Sequence, residues 1–175
     1  MMIHKPKALD YFKKELEQIK DANLQTFFYN SLAIAPKSFH NDEELMEYTK
    51  KAFYILYGFL NQRQIIGTVR EALLGTTLLC DIMFNEFEDE MKKLHPVAVR
   101  TYLENHGMNK EIQQGLWENI MRAIEAHHGN KGASPSLDAK PGTAEYELAQ
   151  AFIVAHMPYV NIYWEDLYNE GKHKK

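Results

Sequence analysis

Apolar residues recur every three to four positions along almost the whole chain, and runs that alternate apolar with polar residues are scarce. Strands need a period of two, so this pattern commits the chain to helices. The expected fold is all-α: a compact single-domain helical bundle over residues 1–170, followed by a short basic tail at 171–175. A chain of 175 residues suits one domain with a sizeable core. No internal repeat, low-complexity tract or long linker divides it.

The periodicity places the elements. Leu9, Phe12, Leu16 and Ile19 share one face of a first helix, and Leu24, Phe27 and Phe28 mark a second, short one. Residues 30–42, with Pro36, Ser38 and Asn41, read as a loop. Asp42 is placed to cap a long helix over residues 42–60, because its carboxylate can accept from free N–H groups of the first turn. The buried stripe expected there is Leu45, Tyr48, Ala52, Ile55 and Phe59. A helix over residues 68–91 would bury Val69, Ala72, Leu73, Thr76, Leu79, Met83 and Phe87. A short helix at 97–104 stops at Asn105, His106 and Gly107. Asn109 is the expected cap of the next helix, which carries Ile112, Leu116, Ile120, Ala123 and Ile124 and ends at His127-His128-Gly129. A polar loop at 130–142 precedes a last helix from Thr143 to His156, which Pro158 ends or kinks. The aromatic stretch holding Tyr159, Tyr163, Trp164 and Tyr168 then packs on the domain or on a second copy, a homo-oligomer.

Charge narrows the function classes. The net charge is −4, and binding to duplex nucleic acid through phosphate neutralisation calls for a basic excess, so no such partner is expected. A small phosphorylated ligand needs only a local pocket. No apolar run is long enough to span a bilayer, and the first sixteen residues mix Lys, Asp and Glu with apolar residues, unlike a secretory signal. The sole cysteine, Cys80, allows no intrachain disulfide. A cytoplasmic location is the expectation.

The chemistry centres on Asp81. It lies in Leu78-Leu79-Cys80-Asp81-Ile82-Met83-Phe84, an apolar helical run. A carboxylate among apolar side chains is costly unless it is paired, protonated or bound to a metal. The alternative is that it points outward from the helix edge. Extending the stripe Leu116, Ile120, Ala123 lands on His127, while His128 follows Trp117, Met121 and Ile124 on the adjacent strip. Both histidines therefore lie near a buried face at a helix C-terminus, where a cation is favoured. The plainer reading is a polar helix end. His95 before Pro96, and His156 near the core side of its helix, are each ordinary hydrogen-bonded histidines if taken alone. Together with Asp81 they make a candidate set for a divalent metal. Imidazole suits zinc, iron and nickel, and oxygen-rich sites suit magnesium. His4, His40, His106 and His173 receive no role. Cys80 in an apolar helix reads as packing rather than as a nucleophile, and neither a phosphate-cradling Gly-rich loop nor a serine elbow is present.

The order of these features resembles the HD-domain phosphohydrolase superfamily over residues 42–160: an apolar run ending in a polar pair, His95-Pro96, His127-His128-Gly129, then Leu-Ala-Gln-Ala-Phe-Ile-Val-Ala-His ending at His156. That family is all-helical and binds divalent metal through a His, a His-Asp pair, additional histidines and a late Asp. Asp81 matches the Asp of the pair, whereas Cys80 stands where the family has His. His156 stands where the late Asp would fall, and Tyr48 aligns with the family's first His. The resemblance implies a metal site formed by Asp81, His95, His127, His128 and His156, with Asp81 catalytic and Mn, Fe, Zn or Mg as the ion. The reaction implied is hydrolysis of a phosphate ester, in a nucleotide or another phosphoester. The alternative is a catalytically inactive HD-like binding module whose polar residues form a hydrogen-bonded network.

Overall fold

Leu73 to Leu79 are buried on every side, which marks the helix that carries them as the centre of the bundle. In the computed structural model, which describes residues 6–127, eight α-helices occur and no strand is present among those residues. They are α1 (Lys7–Tyr11), α2 (Lys13–Leu16), α3 (Ala22–Ala33), α4 (Lys37–His40), α5 (Glu43–Gln62), α6 (Gly67–Leu79), α7 (His95–Asn105) and α8 (Gln114–Ala126). Helices α3, α5 and α8 all pack against α6, and α7 packs against α8. Phe27 and Phe28 of α3, Leu74 and Leu78 of α6, and Trp117 and Met121 of α8 are fully enclosed. The Phe27 ring meets Trp117 edge-on at 6.1 Å. The all-α architecture agrees with the periodicity. No helix among the described residues is long and apolar enough to cross a membrane.

Several local readings are corrected. The segment read as a loop at 30–42 contains the last turn of α3 and all of α4, with Pro36 as the N-cap residue of α4. The fixed φ of proline suits the entry to a helix better than its interior. Asp42 does cap α5, its Oδ1 accepting the Leu45 N–H at 3.0 Å. The buried face of α5 is Met46, Thr49, Ala52, Phe53, Leu56 and Leu60, one position round from the expected stripe; Leu45, Tyr48, Ile55 and Phe59 are half-buried. Thr49 tolerates burial because its hydroxyl donates to the Leu45 carbonyl at 3.0 Å.

The expected helix over 68–91 stops at Leu79 and gives way to two 3-10 turns, Phe84–Glu86 and Asp89–Leu94. The hydroxyls of Thr76 and Thr77 and the Cys80 thiol all donate to carbonyls four residues back, a pattern that loosens and bends a helix. Val69, expected in the core, is exposed. Asn109 is not a cap; it lies in the 3-10 turn Met108–Lys110, and the N-cap of α8 is Gln113. Gly107 ends α7 in the left-handed conformation expected of it, with φ 77°. His40, given no role from the sequence, is buried and accepts the Ala8 N–H on Nδ1 at 3.1 Å, tying α4 to α1. The elements read beyond residue 127, including His128, His156 and the aromatic stretch, lie outside the described residues.

Candidate metal centre

Asp81 sits two residues past the end of α6, not in mid-helix as the apolar run suggested. Its carbonyl accepts the Phe84 N–H at 3.0 Å, which starts the first 3-10 turn and turns the side chain inward. His95 opens α7, with Pro96 beside it in the first turn, where a missing N–H costs nothing. His127 is the C-cap of α8. The chain therefore brings three helix termini together: the end of α6, the start of α7 and the end of α8.

At that junction Asp81 Oδ1 is 3.0 Å from His95 Nε2 and 3.3 Å from His127 Nε2, and the two Nε2 atoms are 3.3 Å apart. All three residues are buried; His95 is 0% exposed, His127 1% and Asp81 8%. The three donor atoms form the metal-compatible group among the described residues. An ion held about 2.1 Å from each of three donors leaves them about 3.0 Å apart at right angles and about 3.4 Å apart at the tetrahedral angle. The observed separations fall in that interval.

The far side of each imidazole fixes its protonation pattern. His95 Nδ1 donates to the Lys92 carbonyl at 2.7 Å, and His127 Nδ1 donates to the Ile124 carbonyl at 2.5 Å. A carbonyl only accepts, so each Nδ1 carries hydrogen, and in a neutral ring Nε2 is then a lone pair. Outward N–H groups anchored on backbone carbonyls are the usual support of metal-ligating histidines. With a carboxylate oxygen and two such nitrogens facing one another, the junction calls for positive charge at its centre, either a metal ion or a proton.

The electrostatics agree with ligand roles. Burial pushes the Asp81 carboxyl up, but where a facing Nε2 carries a proton, hydrogen bonds and charge from His127 and His95 outweigh burial and hold the group well below the usual carboxylate range. Burial lowers His95, against the opposing pull of Asp81. These directions favour a charged Asp81 and a neutral His95, and a metal requires an ionised carboxylate and neutral imidazoles.

Flanking contacts hold the two histidine-bearing helices in place. Arg100 Nη1 of α7 donates to both carboxylate oxygens of Glu118 at 2.9 and 3.0 Å, and its Nη2 donates to Glu125 at 2.6 Å, both on α8. The Phe84 ring stands edge-on to the His95 imidazole at 5.1 Å. These supports escaped the sequence reading, because pairing between helices leaves no trace in the periodicity of either one.

Of the residues singled out from sequence, the structure gathers Asp81, His95 and His127. His128 and His156 fall outside the described residues. Cys80 takes no part in the cluster: its thiol donates to the Thr76 carbonyl at 3.4 Å, and burial pushes it well above the ordinary thiol range. Comparison with protein-family models, with curated proteins and with solved structures found no match.

Proposed function

We propose that this chain is a metal-dependent hydrolase of phosphoesters in which Asp81, His95 and His127 hold a divalent ion. One observation carries the metal reading: Asp81 Oδ1 and the two Nε2 atoms converge within 3.3 Å, with both Nδ1 positions committed to backbone carbonyls. Two imidazoles and one carboxylate favour zinc, iron or manganese over magnesium, which prefers oxygen donors and retained water. When bound, such an ion supplies a water-derived nucleophile at neutral pH and polarises a phosphoryl oxygen. Asp81 contributes the negative charge that offsets the ion, and the two neutral imidazoles orient it. The phosphoester class, with a nucleotide as the first candidate, rests on the HD-domain resemblance of Asp81, His95-Pro96 and His127-His128-Gly129.

The burial of the three residues favours a second reading, in which the ion or a shared proton only braces an inactive binding module. Metal analysis after purification, a Co(II) titration, and a screen of nucleotides and p-nitrophenyl phosphate with Mn, Fe and Zn separate the two. Metal-dependent turnover that disappears in Asp81→Ala supports the hydrolase. Stoichiometric metal with a flat screen leaves the binding module, and no uptake of any of the ions sinks the metal centre.

A further inference from the structure

From Asp81 to His95 the backbone has no α-helix to fix its course, only the two 3-10 turns. Asp89, at the start of the second turn, adopts φ 48°, a left-handed conformation that non-glycine residues seldom take. Something must nevertheless hold the His95 ring against Asp81.

Lys92 is built into this segment at both of its ends. Its Nζ donates to the carbonyls of Phe84 at 3.2 Å and Phe87 at 3.0 Å, closing the loop that leaves Asp81. The same ammonium lies 4.1 Å from the centroid of the Phe84 ring, a cation–π contact. That ring in turn stands edge-on to the His95 imidazole, with an interplanar angle of 82°. On the main chain, the Lys92 carbonyl accepts the His95 Nδ1–H at 2.7 Å. The ring packed against the imidazole and the carbonyl that holds its outward nitrogen are therefore both tied to Lys92.

We propose that Lys92 is a positioning residue for the metal centre: by tying Phe84 and Phe87 to its own turn, it fixes the tautomer and direction of His95 so that Nε2 meets Asp81 and His127. The inference rests on the metal reading above. A lysine on the exposed flank of a 3-10 turn would ordinarily be solvated. Here two carbonyls and a ring replace its water, and burial lowers its ammonium against the pull of Asp89, Asp42 and Glu88.

The test compares Lys92→Met, which keeps most of the stem and removes the donors, with Lys92→Arg, which restores a cationic donor. Co(II) affinity and the cobalt d–d spectrum are read for each, alongside the ¹⁵N shifts of the His95 ring in metal-free protein. Removal of such outer support is expected to weaken Co(II) binding by about 10- to 100-fold in Lys92→Met, with recovery to within about 5-fold of the parent in Lys92→Arg. The His95 ¹⁵N shifts move toward a mixed tautomer only in Lys92→Met. Unchanged Co(II) affinity and unchanged His95 shifts in a folded Lys92→Met protein overturn the proposal, even if thermal stability drops. If the parent protein binds no Co(II), the metal reading fails, and the ¹⁵N shifts still decide whether Lys92 positions His95. Should Lys92→Met not fold, Phe84→Leu removes the ring through which Lys92 acts. It is expected to weaken Co(II) binding as well; an unchanged affinity there overturns the proposal.

Discussion

His95 and His127 stand 32 residues apart in sequence, yet their Nε2 atoms lie 3.3 Å from one another with Asp81 Oδ1 in reach of both. Since each Nδ1 already donates to a carbonyl, the facing atoms of two neutral rings are lone pairs, and lone pairs at that distance repel unless an ion or a proton sits between them. Such a cluster contributes little to folding without its cation and a great deal with it.

Asp81→Asn tests that asymmetry. In metal-free protein near pH 8, the amide N–H₂ can donate to one of the facing nitrogens, so stability in urea is expected to stay level or rise. Co(II) affinity is expected to fall by more than about 100-fold, beyond the range seen for loss of outer-shell partners. A loss of about 3–5 kcal/mol in the metal-free protein would instead identify Asp81 as half of a buried ion pair with an imidazolium.

Burial of neutral histidines makes a signed pH prediction for the metal-free protein. Burial lowers His95, and it also lowers His40 despite the opposing pull of the nearby Ala33, Leu32 and Ala35 carbonyls. In the unfolded chain both titrate near about 6.5. Below that pH the unfolded chain takes up protons that the native protein refuses, so stability falls as pH drops from about 6.5 toward the lowered native values. For each of the two histidines the slope approaches about 1.4 kcal/mol per pH unit at most. Asp81 acts in a separate window: its stabilising share is present above the ordinary carboxylate value of about 3.9 and is lost only below it. Urea midpoints between pH 5 and 8 read the effect, and His95→Gln should flatten its own share of it. A midpoint that rises on acidification would contradict the neutral-histidine assignment.

How far the sequence foretold this arrangement varies from helix to helix. His127 was legible because α8 has one strong stripe: Ile120 and Ala123 are buried, and the next position on that face is His127. Asp42 was legible because a cap is a local device, settled within three residues of chain. The face of α5 was not, since Leu45, Tyr48, Ile55 and Phe59 form an apolar stripe as good as the adjacent one that is buried. Nor was the end of α6. Apolar residues continue at Ile82, Met83, Phe84 and Phe87 with no Gly or Pro among them, and the reversal falls on Asp89 in a left-handed conformation. The early end of α6 puts Asp81 past a helix terminus rather than on a helix side, which is what allows it to meet two other helix termini.

The packing of α3 on α6 depends on Gly75. A Cβ built there would run into the Phe28 ring, which is fully enclosed and has little room to retreat. Gly75→Ala is expected to destabilise by about 1–3 kcal/mol through overpacking, reduced by the better helix propensity of alanine. Gly58 supplies the contrast, being exposed on α5 with open space around the same atom. Gly58→Ala is expected to stabilise by about 0.5–1 kcal/mol. Thermal melts of the two variants should move in opposite directions; a stabilised Gly75→Ala would mean that α3 and α6 are farther apart than described.

The turn between α5 and α6 is a Schellman motif without its glycine. The Ile65 N–H bonds the Leu60 carbonyl at 3.0 Å and the Gln64 N–H bonds the Asn61 carbonyl at 3.1 Å, with Gln64 between them at φ 56°. A side chain in that conformation costs about 1–2 kcal/mol per residue relative to glycine or an ordinary φ. Gln64 is exposed, so no packing is lost on removing its side chain. Gln64→Gly is expected to raise stability by about 1 kcal/mol and Gln64→Asn by less, while Gln64→Val should lower it because a β-branched residue tolerates positive φ worst. Urea unfolding of the three variants gives that order directly, and a destabilised Gln64→Gly would show that the helix end does not reverse at residue 64.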